Sequence, residues 1–437
     1  VFYSLVALFI VGGVVAVSIA LGVTVGTGGA VLRTGSLFVA TIPRAADLFL
    51  NGARVTENPG ILSGGTLIKN LSPNTYEVRA EAEGRIPWRA SLPVTRGIVT
   101  RATDIFLWPV TASTTAITPR VDSFALSAGI PVIRSLDGTL SLDGTFMRGA
   151  AIAYASDDAA TLITRTEGTV YLVGKDAESS TLNLSTLFHS LKERELDLPG
   201  IVPLIDIRPH PFSAGKFLIV TETSLYALDT RRISLERLAT IEQVARVAWN
   251  DSEVLLLGAD GSLTAVDLVF KTVATAPFAS GAIARMESTA GGDKLVFLTA
   301  EGELTAYYRA SGSRVVIADR VTEFSLSPGG ARVAYAREGK ISLYFLDHYT
   351  GDRLVPQATT FLLWEGGAPP HALAWNSSLP RYLFFLAGNE LIAAELGFHG
   401  EQNHVTLAHR VKEFAFTGFT AYVLHESGEL MALSFEE

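Results

Sequence analysis

Three histidines, His399, His404 and His409, recur at intervals of five, and they are the nearest thing in the chain to a metal-ligand series. An interval of five puts no two of them on one helical face, and no His-Glu-x-x-His run accompanies them. The spacing argues for loops and strand ends rather than zinc. The acidic candidates are Asp137-Gly-Thr-Leu-Ser-Leu-Asp143-Gly, the pair Asp157-Asp158, and Asp251. Each has pieces of a calcium loop without the full ladder of ligands, and hairpin turns account for them more simply. No Gly-x-Ser-x-Gly elbow presents a serine for nucleophilic attack. There is no cysteine for thiolate chemistry or metal binding. Ser63-Gly64-Gly65 and Ser311-Gly312-Ser313 lack the lysine and helix start of a phosphate-binding loop. The expectation is a non-enzyme with no catalytic residue, no metal and no cofactor.

What remains is suited to binding. The tryptophans Trp88, Trp108, Trp249, Trp364 and Trp375 are large and fit sugar or peptide contacts when exposed. Trp249 and Trp375 both lie in Ala-Trp-Asn and take the same place in a repeating unit, which reads as core. Trp364, in Leu363-Trp-Glu-Gly-Gly-Ala-Pro-Pro370, falls in an irregular stretch and is the leading candidate for an exposed contact, with Trp88 beside it. A second candidate surface is Leu184, Leu187, Phe188 and Leu191, at i, i+3, i+4 and i+7, followed by Lys192-Glu-Arg-Glu195. That spacing predicts a short amphipathic helix, packed on the protein's own edge in the simpler reading and docking another subunit in the functional one.

The elements that must position these groups can be read from composition and pattern. The chain has 437 residues, 48% of them hydrophobic and 18% charged, enough for two to three domains with cores that need no disulfides. The net charge of -9 is scattered and no basic run of four occurs, which argues against a nucleic-acid role on electrostatic grounds. The absence of cysteine fits a prokaryotic envelope. From Val1 to Leu32 there is no charged side chain. A membrane span needs about 20 apolar residues and a signal-peptide core only about 7–15. The expectation is therefore a retained transmembrane anchor helix over residues 1–27, seated in a lipid bilayer, with a glycine-rich linker over 28–34. The chain opens at Val1 without flanking Lys or Arg, so orientation has to be taken from the domains on the C-terminal side of the helix.

Residues 35–110 are short, alternating and punctuated by turns. Tyr76, Val78 and Ala80 alternate with Glu77, Arg79 and Glu81, as in a strand with one buried face. Asp47 to Leu50 runs into Asn51-Gly52, a type I′ hairpin signal. Leu67 to Leu71, Ser72-Pro73-Asn74 and Thr75 onward reads as a second hairpin. Six or seven strands in this length predict a small β-sandwich. Gly35-Ser-Leu-Phe-Val39, Pro43-Arg-Ala-Ala46, Leu48-Phe-Leu-Asn-Gly52 and Leu71-Ser-Pro-Asn-Thr-Tyr-Glu-Val78 together resemble a PEGA domain. Arg44-Ala45 stands in place of that family's Glu-Gly, and Asn74 in place of its second glycine. The resemblance implies an accessory domain of prokaryotic envelope proteins, associated with carbohydrate or wall, and places the C-terminal bulk outside the cytoplasm.

Residues 111–437 repeat with a period of about 40 and three or four strands per unit, the mark of a β-propeller. The clearest unit runs from Phe324 to Asp347; others begin near Ala151, Leu204, Val247, Leu295, Leu373 and Phe414. Ser327-Pro-Gly-Gly330 followed by Val333-Ala-Tyr335 resembles WD40-like and TolB-type propeller repeats, without the Gly-His and Trp-Asp dipeptides of true WD40 units. The count is about seven blades, and six or eight fit the same spacing. The last blade, from Arg410, has three strands, and a strand near 121–134 is expected to close it. The functional expectation is a non-enzymatic, single-pass, extracytoplasmic binding or scaffold protein of a bacterial cell envelope, whose partner is an envelope protein or cell-wall glycan. Alternatives are a subunit of a larger membrane or surface assembly and a propeller hydrolase or lyase.

Overall fold

The computed structural model describes residues 2–20, 23–25, 31–56, 64–127, 130–137, 139–142, 145–148, 151–155, 161–166, 169–174, 182–183, 204–213, 215–229, 232, 234–278, 281–350, 354–397 and 403–436. The architecture is almost entirely β. Residues 35–106 form two packed sheets. One holds strands Ala53–Arg54, Asp47–Leu50, Asn74–Glu81 and Trp88–Val94; the other holds Thr66–Leu71, Gly35–Ile42 and Val99–Phe106, the last two parallel. Leu37, Val39, Val78, Leu92 and Ile105 fill the space between them. Asn51 and Gly52 both have positive φ, as the type I′ turn demands. The expected hairpin from Leu67 to Val78 is instead a corner. Its two strands belong to different sheets, and the Tyr76 hydroxyl donates to the Ser72 carbonyl across the bend at 2.9 Å.

Eight four-stranded antiparallel sheets come next among the described residues. They span 121–148, 151–183, 204–240, 244–277, 283–318, 321–365 and 370–408 as blades 1 to 7, and 411–434 with 113–118 as blade 8. The first strands of blades 1 and 2, 2 and 3, 4 and 5, 6 and 7, and 8 and 1 lie side by side, blade 7 meets the first strand of blade 8, and hydrogen bonds join the first strands of blades 3 and 4 and of blades 5 and 6, so the sheets close into a ring with the first strands innermost. Each first strand carries a bulge near its start, after its first residue in six of the blades and after its second in blades 2 and 7. A bulge adds local twist, and its repetition identifies eight copies of one unit.

This is one blade more than the sequence count. The strand that completes the last sheet is Ser113–Thr118, paired with Leu430–Ser434, whereas Val121–Ser127 and Ile130–Ser135 pair with each other as the first hairpin of blade 1. The physical reason is side-chain character. Ser113–Thr118 is exposed along most of its length, which suits an outermost strand, while Val121 and Val132 are buried and suit the interior.

The uncharged N-terminal run, expected to be one helix to residue 27, is helical over Phe2–Ala20 and then gives the strand Val23–Val25, paired with Val31–Arg33. The β-branched residues Val23, Thr24 and Val25 favour that change. Nineteen residues at about 1.5 Å each give a helix of about 28 Å. Among the described residues no helix is long and apolar enough to cross a membrane.

Candidate functional site: one face of the ring

Because every blade runs as an up-and-down meander, the turns after the first and third strands all lie on one face of the ring and the remaining turns on the other. The sandwich sits on the first of these, over blades 7 and 8. Glu395, 1% exposed, is the centre of the joint. Its Oε1 accepts from Arg381 Nε at 2.6 Å, and its Oε2 accepts from Trp88 Nε1 and Asn403 Nδ2, both at 2.7 Å. Arg381 also donates to the Thr103 carbonyl at 2.8 Å. Tyr382 donates to the Phe106 carbonyl and accepts from the Phe106 N–H at 3.1 and 3.0 Å. Full burial, with the Glu395 charge nearby, pushes the Tyr382 phenol above its usual pKa, so it stays neutral and able to donate. Trp108 packs edge-on against Phe106, Tyr382, Phe384 and Phe435.

Side chains also lock the ring from blade to blade. Trp249 Nε1 of blade 4 donates to Asp206 of blade 3 at 2.7 Å. Arg246 Nε reaches the Ala284 carbonyl of blade 5 at 2.9 Å. Glu287 accepts the Leu326 N–H of blade 6 at 3.0 Å, and Glu323 accepts the Ala372 and Leu373 N–H groups of blade 7 at 2.8 and 3.1 Å. Asn376 donates to the Gly418 carbonyl of blade 8, and Lys412 donates to the Asp122 carbonyl of blade 1. Carboxylates that accept backbone N–H groups make charge-assisted bonds, stronger than neutral ones. Between blades 5 and 6, Lys294 bridges Asp293 and Asp347 at 2.5 and 2.9 Å. Partial burial works against the Asp293 carboxylate, yet the Lys294 and Thr289 hydrogen bonds and the lysine charge together hold its pKa below the usual range.

Where the sandwich leaves the face uncovered, the first turns of blades 4 to 6 frame a groove with a cavity volume of about 340 Å3. Trp249, Met286, Leu326 and Pro328 give it apolar walls, and Arg208, Asp251 and Glu287 give it charges of both signs. The Arg208 guanidinium lies 5.1 Å from the centre of the Trp249 ring. Asn250 Oδ1 accepts the N–H groups of Ser252 and Glu253 at 2.9 and 2.8 Å, which fixes the turn beside the indole. Apolar walls with a few charged groups at fixed positions are what a recognition groove needs.

The residues chosen from sequence fall elsewhere. Trp364, expected in an exposed loop, is 8% exposed, lies on strand Thr360–Glu365 of blade 6, and packs against Phe385 with ring centres 5.1 Å apart. Trp88 is buried in the joint. Leu184, Leu187, Phe188 and Leu191 lie outside the described residues, as do Asp157, Asp158 and His399. His404 is exposed, and exposed His409 meets Glu390 at 3.0 Å. Among the described residues no three His, Asp or Glu side chains converge as metal ligands. Trp249, read as core, lines the groove. No sequence signal separates it from Trp375, which is followed by the equally polar Asn376-Ser-Ser378.

No family model and no curated protein matches the chain. Among solved structures it is similar to the Myceliophteria thermophila Cps50 (Swd1) β-propeller domain, at 12% identity and a TM-score of 0.40, covering 74% of this chain and 100% of that one. It is also similar to Kluyvelomyces marxianus Hsv2, at 10% identity and 0.46, covering 66% and 98%. A chain of a mitotic checkpoint complex matches at 11% and 0.42, covering 76% and 97%. Likeness of this degree says nothing about activity or partner; the β-propeller assignment stands on the eight meandering sheets and their closed ring.

Proposed function

We propose that this chain is a non-enzymatic interaction protein whose propeller, held rigidly by the sandwich, receives an extended segment of a partner protein in the groove at Trp249. The observation that carries this is the convergence of side chains from four blades, Arg208, Trp249, Glu287 and Leu326, on one groove in a ring whose blades are bonded to one another. A groove lined from several rigid elements keeps its shape before binding, which lowers the ordering cost of recognition. The finer part of the proposal is that the molecule is held on the outer side of a prokaryotic membrane by its N-terminal segment. The uncharged run from Val1 to Leu32 supports it. So do the exposed side chains of Phe2, Phe9 and Ile10 on the helix, and the resemblance of the sandwich to PEGA domains.

A photo-crosslinking residue placed at exposed Asp251, beside the groove, tests the reading against one placed at exposed Glu301, on the opposite face. In native membranes the probe at 251 is expected to give one defined protein adduct that the probe at 301 does not give. No adduct at 251, or equal yields from both sites, contradicts it.

A further inference from the structure

A second cavity, of about 600 Å3, opens on the outer seam between blades 4 and 5. Blade 4 supplies Asp260, Gly261 and Ser262 from the turn after its second strand, and Thr275 to Phe278 from its outermost strand and the residue beyond. Blade 5 supplies Arg314 from its own outermost strand. The aromatic wall is firmly packed. Phe278, 5% exposed, meets the rings of Phe297 and Tyr307 edge-on, with centres 5.2 and 4.9 Å away. The Arg314 guanidinium lies over the same three rings, 5.0 Å from the centre of Phe278, 5.7 Å from Tyr307 and 5.9 Å from Phe297. Among the described residues no carboxylate pairs with it.

The opposite charge is fixed just as locally. Asp260 Oδ1 accepts from the Ser262 N–H at 2.9 Å and from its hydroxyl at 2.7 Å. These bonds hold the Asp260 carboxyl below its usual pKa, so it is ionised at neutral pH. Gly258 lets the turn close, since a Cβ there would stand 2.4 Å from the same Oδ1. The Ser262 hydroxyl is engaged in this turn, and the Thr275 hydroxyl is paired with that of Thr264 at 3.0 Å. Two charged groups on the wall of the cavity therefore have bonding capacity to offer: the N–H groups of Arg314 and Oδ2 of Asp260. Ala276 and Pro277 give an apolar stretch of the same wall.

A guanidinium laid on aromatic faces keeps its N–H groups at its edge, set for a planar acceptor with two oxygens. A carboxylate is such an acceptor and can take two parallel bonds from it. A purely anionic ligand would also meet the charge of Asp260, whereas a ligand with one charge of each sign is attracted by both groups. We propose that this seam binds a small zwitterion, an amino acid or short peptide, with its α-carboxylate on Arg314, its ammonium on Asp260 and its apolar atoms along Ala276 and Pro277. The volume falls in the range of about 300–1,000 Å3 usual for small-molecule sites. The seam shares no lining residue with the groove at Trp249, so either can be disabled alone.

Equilibrium dialysis of the full chain against isotopically labelled probes tests this. Trialanine is expected to bind, and alanine beside it separates a single amino acid from a peptide as the ligand. Trialanine amide, without the carboxylate, and N-acetyl-trialanine, without the ammonium, should each bind about tenfold more weakly or worse, the loss expected for one contact to a charged group. Arg314→Met should abolish binding, and Arg314→Lys, which keeps the charge and loses the fork, should restore only part of it. Thermal unfolding close to that of the wild type shows that these variants are folded. Asp260→Asn should weaken trialanine and leave N-acetyl-trialanine unchanged, a contrast that decides the matter by itself if the methionine variant does not fold. No binding of trialanine or alanine overturns the proposal. So does an amide that binds as tightly as trialanine, a folded Arg314→Met chain that binds like the wild type, or a preference for inorganic phosphate or glucuronate over trialanine.

Discussion

Glu395→Ala is expected to destabilise the protein by about 3–5 kcal/mol, because it leaves the Arg381 guanidinium buried without its counter-charge. Arg381 and Glu395 are 8% and 1% exposed, so water cannot take the place of the lost carboxylate. The same change removes the acceptor for Trp88 Nε1, and that orphaned buried donor adds its own desolvation cost, while Asn403 Nδ2 keeps its bond to the Arg89 carbonyl. The loss is expected to appear first at the joint. Calorimetry of the wild type should give one transition for sandwich and propeller; the variant should give an earlier one in which the sandwich separates. Trp88→Phe is the milder companion. It removes one donor and leaves Glu395 held by Arg381 and Asn403, so its cost should stay near about 1 kcal/mol. Equal effects from the two substitutions would mean that packing, rather than the ion pair, secures the joint.

Trp108→Ala is expected to cost a further class of energy, about 3–5 kcal/mol, from the cavity left by a buried indole. Trp108 is 3% exposed and enclosed by Phe106, Tyr382, Phe384 and Phe435. It lies just before Ser113–Thr118, the strand that completes blade 8, so loss of the indole should also loosen ring closure. Its indole nitrogen is buried without a hydrogen-bond partner among the described residues. Trp108→Phe should therefore be much better tolerated: it gives up some packing but removes an unsatisfied donor. Denaturant unfolding of the two variants checks the contrast, with the alanine variant far below the wild type and the phenylalanine variant close to it. A phenylalanine variant as unstable as the alanine variant would show that the indole nitrogen makes a bond that matters.

Much of the local structure is legible in the sequence because it is set by neighbours. Asn51-Gly52 can adopt the two positive φ values of its turn, and the alternation from Tyr76 to Ala80 names the buried face directly. The pairing of distant strands is not written this way. Val121 to Arg134 alternates as convincingly as any strand, while the polar Ser113–Thr118 has no core-facing stripe, so the pattern favours the wrong segment for closure. A better signal is the dipeptide Arg-Val at Arg120, Arg320 and Arg410. Each arginine has positive φ, and each valine opens an innermost strand, its N–H bonded to a turn of the preceding blade. That repeat makes residue 121 a blade start and the count eight.

The joint is hidden from the sequence for the same reason. Trp88 and Glu395 are far apart in the chain, and nothing around either residue points to the other. Trp364 is obscured by its own neighbours. Gly366 and Gly367 look like loop residues, yet a Cβ on Gly366 would lie 2.3 Å from Cζ2 of the Trp364 ring. The glycine makes room for a buried indole. Trp249 and Trp375 are correctly paired by their Ala-Trp-Asn context, but sequence cannot tell that the sandwich covers the face near one and leaves the face near the other open. The Trp375 indole donates to the Ser325 carbonyl at 3.2 Å between blades 6 and 7. Its counterpart at Trp249 makes the same kind of bond to Asp206 and still presents part of its ring to the groove.

The groove faces a fixed direction only if the sandwich and the propeller form one rigid body. In a chain without cysteine, spin labels at R96C, on the far tip of the sandwich, and E301C, on the opposite face of the ring, report this directly by electron–electron distance measurement. One narrow distance distribution is predicted for the otherwise wild-type chain, broadening when Glu395→Ala is added. A broad or multiply peaked distribution without that substitution would contradict a rigid joint.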